Sequence, residues 1–165
     1  MATIFSLKEI EFKTKSTTLE MFSWASSPRL AQLAGSKQLQ FDVRSLNPGK
    51  FSFPYHFHRV AEELFVILEG EAVLRSPEGF KTVRKGDILF FEPGLSGAHQ
   101  LYNAGDEPCV YLDLRTATGV DVCEYPDSGK INILPYQEIY QTKDQVEYFE
   151  GEEEVKAHWP SEYFR

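Results

Sequence analysis

Between Pro48 and Gly70 the chain reads PGKFSFPYHFHRVAEELFVILEG, and this stretch holds two of its four histidines, His56 and His58. Residues i and i+2 of a β-strand point to the same face, so a strand here projects both imidazoles together. Glu63 opens the following apolar run, and a hairpin over 59–62 would bring its carboxylate alongside. Two imidazoles and a carboxylate are part of a metal site, and they suit Fe, Mn, Ni, Cu or Zn. The candidate for a fourth ligand is His99, in PGLSGAHQLYN. It follows a Gly86-Asp87 turn, the apolar run ILFF and a Pro93-Gly94 turn. A strand returning across the fold would present His99 from an opposite wall.

The elements that must position these groups are short. From residue 38 onward, β-rich runs alternate with turn signals: LQFDVRSL, FSFPYHFH, ELFVILEG, EAVLRS, FKTVRKGD, ILFFEPG, HQLYNAGDEP and CVYLDLRT. Short strands at this spacing predict an all-β sandwich or barrel over about 38–116. No long amphipathic helix intervenes, which excludes a parallel sheet of βαβ units. Residues 1–37 form an N-terminal extension with one short helix, PRLAQLA, over 28–34. Ser27 is its candidate cap, Pro28 suits its first turn and Gly35 ends it. Residues 117–165 form a C-terminal extension, expected to pack back on the barrel or on a partner subunit with its charges outward. Its aromatic residues Tyr148, Phe149, Trp159, Tyr163 and Phe164 motivate that expectation.

At 165 residues the chain has the size of one domain. Net charge is −8, which argues against nucleic acid or an anionic membrane as a partner. Most of that acidity lies after residue 115, where 11 Asp+Glu face 4 Lys+Arg. Cys109 and Cys123 form no zinc-ribbon pattern and read as free thiols of a reduced compartment. The N-terminus has no basic stretch before an apolar run, and no run approaches the ~20 residues of a membrane span. The expected setting is soluble and cytoplasmic. There is no GxSxG elbow and no Walker loop.

These residues resemble the two motifs of the cupin superfamily. The first is matched by Gly49, His56, His58, Glu63 and Gly70; the second by Gly86, Pro93, His99 and Asn103. The Glu-to-Gly spacing selects Glu63 over Glu62. The match is not perfect. The gap after Gly49 is one residue longer than usual, one extra residue precedes Pro93, and one extra lies between Pro93 and His99. The resemblance covers about half the chain and is similar to small bacterial single-domain cupins. It implies a double-stranded β-helix, or jelly-roll barrel. It also implies one divalent metal on His56, His58, Glu63 and His99, and a homodimer. The implied activity is that of a metal-dependent enzyme, of isomerase, dioxygenase or lyase type, on a small oxygen-rich molecule. The alternative is a non-catalytic binding or sensor module. The fold hosts many chemistries, so the reaction does not follow from it.

Phe65 and Ile67 share the strand face of Glu63, and Leu101 that of His99. All three are substrate-pocket candidates, and plain core is the competing reading. They would make the cavity apolar and dry. Phe53, Tyr55 and Phe57 have the opposite parity to the histidines and are expected to point outward, toward a covering segment or a dimer interface. Arg44, Tyr102, Tyr111, Asp113 and Arg115 are polar candidates on neighbouring strands, with register undefined. Asn103, Gly70, Gly86 and Gly94 read as turn residues. His158 and the EGEEEV run read as solvated surface.

Overall fold

The computed structural model describes residues 2–117 and 119–164. Among them, thirteen strands and one α-helix follow in chain order. They are β1 (Lys13–Ser16), β2 (Ser23–Ser26), α1 (Leu30–Leu33), β3 (Leu39–Leu46), β4 (Phe57–His58), β5 (Glu63–Glu69) and β6 (Glu71–Ser76). Then come β7 (Gly79–Arg84), β8 (Ile88–Phe91), β9 (Gln100–Tyr102), β10 (Cys109–Thr116), β11 (Asp121–Tyr125), β12 (Lys130–Leu134) and β13 (Glu138–Gln141). Each of the eight β-rich runs between 38 and 116 contributes a strand. FSFPYHFH contributes only its last two residues, because Pro54 breaks the ladder before them.

One layer is a six-stranded antiparallel sheet ordered β1-β2-β3-β10-β5-β8. The other is made of β7-β6-β9 and β13-β12-β11-β4. The segment before β4 joins these two pieces. Ser52 N–H donates to the Leu101 carbonyl, and His56 and His99 exchange both backbone hydrogen bonds, at 3.2 and 2.8 Å. Leu46, Phe65, Ile67, Leu89, Cys109 and Tyr111 from the first layer meet Ala72, Val83 and Leu101 from the second in one core. Burying each large side chain there contributes roughly 1.5–3 kcal/mol. This is the double-stranded β-helix of the expected all-β class.

Register grades the inner face of the large sheet. Arg44, Tyr111 and Ile67 lie side by side; so do Asp42, Asp113 and Phe65, and then Gln40, Arg115 and Glu63. Directly opposed residues share a face. The face therefore passes from apolar at Leu46 and Cys109 to charged at Arg115 and Glu63, and the polar end is the mouth.

Three expectations change here. The short helix exists but Ser27 does not cap it: Ser27 Oγ donates to the Pro28 carbonyl and accepts from Val43 N–H, while Asp42 Oδ1 accepts Leu30 N–H at 3.2 Å. The second layer continues past residue 116, since β11 pairs with both β4 and β12. Finally, residues 135–164 are exposed: β13 joins the edge of the second layer through β12, and beyond it Tyr148 is 88% accessible and packs on Phe149. The N-terminal extension does pack. Phe5, Leu7, Ile10 and Phe12 cover Leu30, Val43 and Val110. No helix is long and apolar enough to cross a membrane among the described residues.

Candidate metal centre

β4 carries His58, the segment before it carries His56, Glu63 opens β5, and His99 sits just before β9. All four side chains are buried, His99 to 1%. The donor atoms of His56, Glu63 and His99 lie within 4.8 Å of one another. Glu63 Oε2 is 3.1 Å from His99 Nε2 and 3.5 Å from His58 Nε2. The four residues named from the sequence thus converge. His99 is held there by a glycine. A Cβ on Gly97 would collide with the backbone carbonyl of Glu92, so only glycine lets the Leu95–Gly97 turn deliver His99 at this depth.

Each imidazole is fixed through its far nitrogen. His56 Nδ1–H donates to the Pro54 carbonyl at 2.8 Å, His99 Nδ1–H to the Gly97 carbonyl at 2.9 Å, and His58 Nδ1–H to Asp121 Oδ2 at 2.6 Å. Carbonyls and carboxylates only accept, so each neutral ring leaves a lone pair on Nε2. That is the pattern of metal-binding histidines. Glu63 Oε2 and His99 Nε2 are buried and have no hydrogen-bond partner. Two lone pairs facing each other across 3.1 Å need a proton or a cation between them. The donor set therefore fits a divalent ion.

Electrostatics agree. Burial, with help from His99 and His58, pushes His56 down to about 3 and keeps it neutral. Burial would also lower His58, but the hydrogen bond to Asp121 and the nearby Glu63 carboxylate, 3.5 Å away, outweigh it and raise the ring to about 9. Burial opposes ionisation of Glu63, and the surrounding imidazoles overcome it, holding the carboxyl well below its usual range. Asp113 moves the other way. Burial and the neighbouring Glu63 raise it to about 6 against the pull of Arg44, whose Nε donates to Asp113 Oδ2 at 2.5 Å.

A cavity of about 190 Å³ opens onto this cluster. Its walls include Arg44, Phe53, Asp113, Arg115, Cys123, Tyr125 and Asn132, along with His56, His58 and Glu63. Phe65, Ile67 and Leu101 are not among them. They are fully buried in the core, with Phe65 packed edge-on against the His99 ring from below. Their strand face matched the sequence reading, but they lie deeper than the cavity. The cavity is consequently polar where an apolar one was expected. Phe53 was expected to face outward and instead lines the cavity, because the chain around Pro54 does not alternate as a strand. Tyr55 and Phe57 are buried within the chain, packed with Ala98. Of the polar candidates, Arg44, Asp113 and Arg115 line the cavity. Tyr111 is buried in the core, and Tyr102 packs on Phe51. Asn103, fully buried, donates to the Leu46 and Glu107 carbonyls and accepts Gly105 N–H, a turn role.

Sequence reasoning missed Asp121 and Cys123. The donor atoms of Cys123, His56 and His58 also lie within 4.8 Å of one another. Cys123 is the β11 partner of His58, a pairing between residues far apart in sequence that no local motif reports. Both cysteines are free and buried, and burial pushes the Cys123 thiol up to about 12.

Residues 43–115 match the family described as Cupin domain. Solved structures share the fold. One is a putative sugar phosphate isomerase from Acidithiobacillus ferrooxidans, at 23% identity and a TM-score of 0.77, covering 89% of this chain and 95% of that one. Another is a sugar phosphate isomerase from Silicibacter pomeroyi, at 23% identity and a TM-score of 0.74, covering 90% and 98%. A third is a predicted oxalate decarboxylase from Thermotoga maritima, at 22% identity and a TM-score of 0.58, covering 69% and 98%. No curated protein matches the sequence.

Proposed function

We propose that this chain, whose residues 43–115 match the Cupin domain family, holds one divalent metal on His56, His58, Glu63 and His99 and acts as a metal-dependent enzyme, of isomerase type, on a small oxygen-rich molecule. The observation that carries this reading is the facing pair of orphaned atoms, Glu63 Oε2 and His99 Nε2, amid imidazoles whose Nδ1–H groups are all committed elsewhere. When bound, the ion would polarise a substrate oxygen as a Lewis acid.

The chain's own groups supply the rest. Asp113, raised to about 6, can accept a proton from a carbon next to a polarised carbonyl and return it near neutral pH. Arg44 orients that carboxylate. Phe53 and Tyr125 narrow the cavity, and Asn132 offers its amide. Return of the proton to the former carbonyl carbon, with the old carbonyl oxygen gaining a proton as the neighbouring hydroxyl gives one up, is an isomerisation. The names of the two structural neighbours with the higher TM-scores favour that type over the dioxygenase and lyase types. A homodimer belongs to the same proposal, since Ile88 and Phe90 on the edge strand β8 are exposed and a second copy would cover them.

The test is deuterium exchange and turnover by the metal-loaded protein, in heavy water, over a panel of sugar phosphates and other hydroxy-carbonyl compounds. At least one should exchange its carbon-bound proton, and Asp113→Asn should abolish exchange while keeping the metal. Tight binding of a panel member with neither exchange nor turnover would replace this reading with the non-catalytic binding module.

A further inference from the structure

Beside the metal cavity lies a second one, of about 420 Å³, sharing Arg29, Gln40, Arg115 and Leu134 with it. Three cations face this outer cavity: Arg29, Lys37 and Arg115. None of them makes an ion pair among the described residues. The contrast with the other arginines is sharp. Arg44 is bound to Asp113, Arg59 to Glu124, Arg75 to Asp127 and Arg84 to Glu71. The two described arginines without a carboxylate partner are the two that stand here. The one carboxylate lining the outer cavity is Asp121. Its Oδ2 accepts from His58, and its Oδ1 accepts Val60 and Val122 N–H. Unpaired cations gathered in a chain of net charge −8 are not explained by solubility.

We propose that Arg29, Lys37 and Arg115 form an anion subsite that seats the phosphate of a phosphate-monoester substrate whose other end lies at the metal centre. The link to catalysis rests on the proposed function above; the anion site itself does not. Register places the two ends together, since Arg115 on β10 is the direct partner of Glu63 on β5. A phosphate monoester is close to dianionic at neutral pH, and guanidinium groups bind its oxygens in fork geometry. Three cations around one seat match two negative charges better than the single charge of a carboxylate. The outer cavity falls in the size range of small-molecule sites, roughly 300–1,000 Å³.

The probe is inorganic phosphate, titrated calorimetrically into the full chain with and without metal, with acetate at equal ionic strength as the carboxylate arm. Phosphate should bind the metal-free protein, and more tightly than acetate. The double substitution Arg29→Gln with Lys37→Gln changes only exposed side chains, so it should leave the far-UV spectrum unaltered and weaken phosphate by about tenfold. Arg115→Gln should weaken it similarly, with Arg115→Lys restoring part. Metal content should be unchanged in every variant. Phosphate affinity unmoved by these substitutions, or phosphate binding only when metal is present, would overturn the subsite. Acetate binding as tightly as phosphate would overturn the phosphate assignment. Failure of the metal-centre reading shows separately, as wild-type protein that takes up no metal yet still binds phosphate.

Discussion

His58 gives the metal-free protein a measurable pH signature. Its ring is raised from 6.5 to about 9 in the folded state, because the hydrogen bond to Asp121 and the nearby Glu63 carboxylate outweigh burial. A raised pKa means that folding favours the protonated ring. The contribution is fully present below pH 6.5 and disappears as pH rises through about 9. At about 1.4 kcal/mol per pH unit, that rise is worth about 3 kcal/mol. Few other shifts fall inside the window. His56 is lowered to about 3 and Asp113 raised to about 6, so both act mainly on its acid side, and the thiols of Cys109 and Cys123, raised from 9.0 to about 11 and about 12, begin to act at its upper edge. Urea unfolding of chelator-treated protein should therefore lose about 3 kcal/mol of stability between pH 6.5 and 9. Asp121→Asn, which replaces a charged acceptor by a neutral one, should shrink that loss by more than half. Stability that is flat or rising across the window would refute the assignment of His58 as the proton-holding member of the cluster.

Other perturbations separate scaffold from site. Asp121→Ala removes the acceptor that orients His58 and should weaken metal binding by about 10–100-fold, read by competition with a chromogenic chelator. Phe65→Ala should cost about 3–5 kcal/mol in chemical unfolding while leaving ligand affinity in the cavity unchanged, because Phe65 is core and not lining. Gly97→Ala forces a Cβ against the Glu92 carbonyl and should destabilise the protein by about 2–4 kcal/mol, with metal uptake reduced through displacement of His99.

Local spacing carried the donor set. His56, His58, Glu63 and His99 are placed largely by local features: a two-residue spacing, the four-residue 59–62 connection and the Leu95–Gly97 turn. That connection is a crossover between layers and not the expected hairpin, because β4 pairs with β11 while β5 pairs with β10 and β8. What surrounds them depends on register between distant strands, which no local pattern encodes. Asp121, Cys123 and Arg115 reach the site only because β11 lies beside β4 and β10 beside β5. Strand parity was legible for Glu63, Phe65 and Ile67, but depth was not. Three residues on one face run from the polar mouth into the apolar core, and the sequence does not mark which end is open. Phe53 misled because Pro54 interrupts the alternation on which parity depends. The tail's aromatic content suggested packing on the barrel or on a partner subunit; within one chain β13 pairs with β12, while Tyr148, Phe149, Trp159 and Tyr163 stay exposed.

The central claim is that His56, His58, Glu63 and His99 hold one metal ion, and elemental analysis of the purified, metal-reconstituted chain beside its His99→Ala variant tests it most directly. The account predicts one divalent ion per chain in the wild type and far less than one in the variant, with the far-UV spectrum of the β fold preserved. Full metal content in the variant, or none in the wild type, would contradict it.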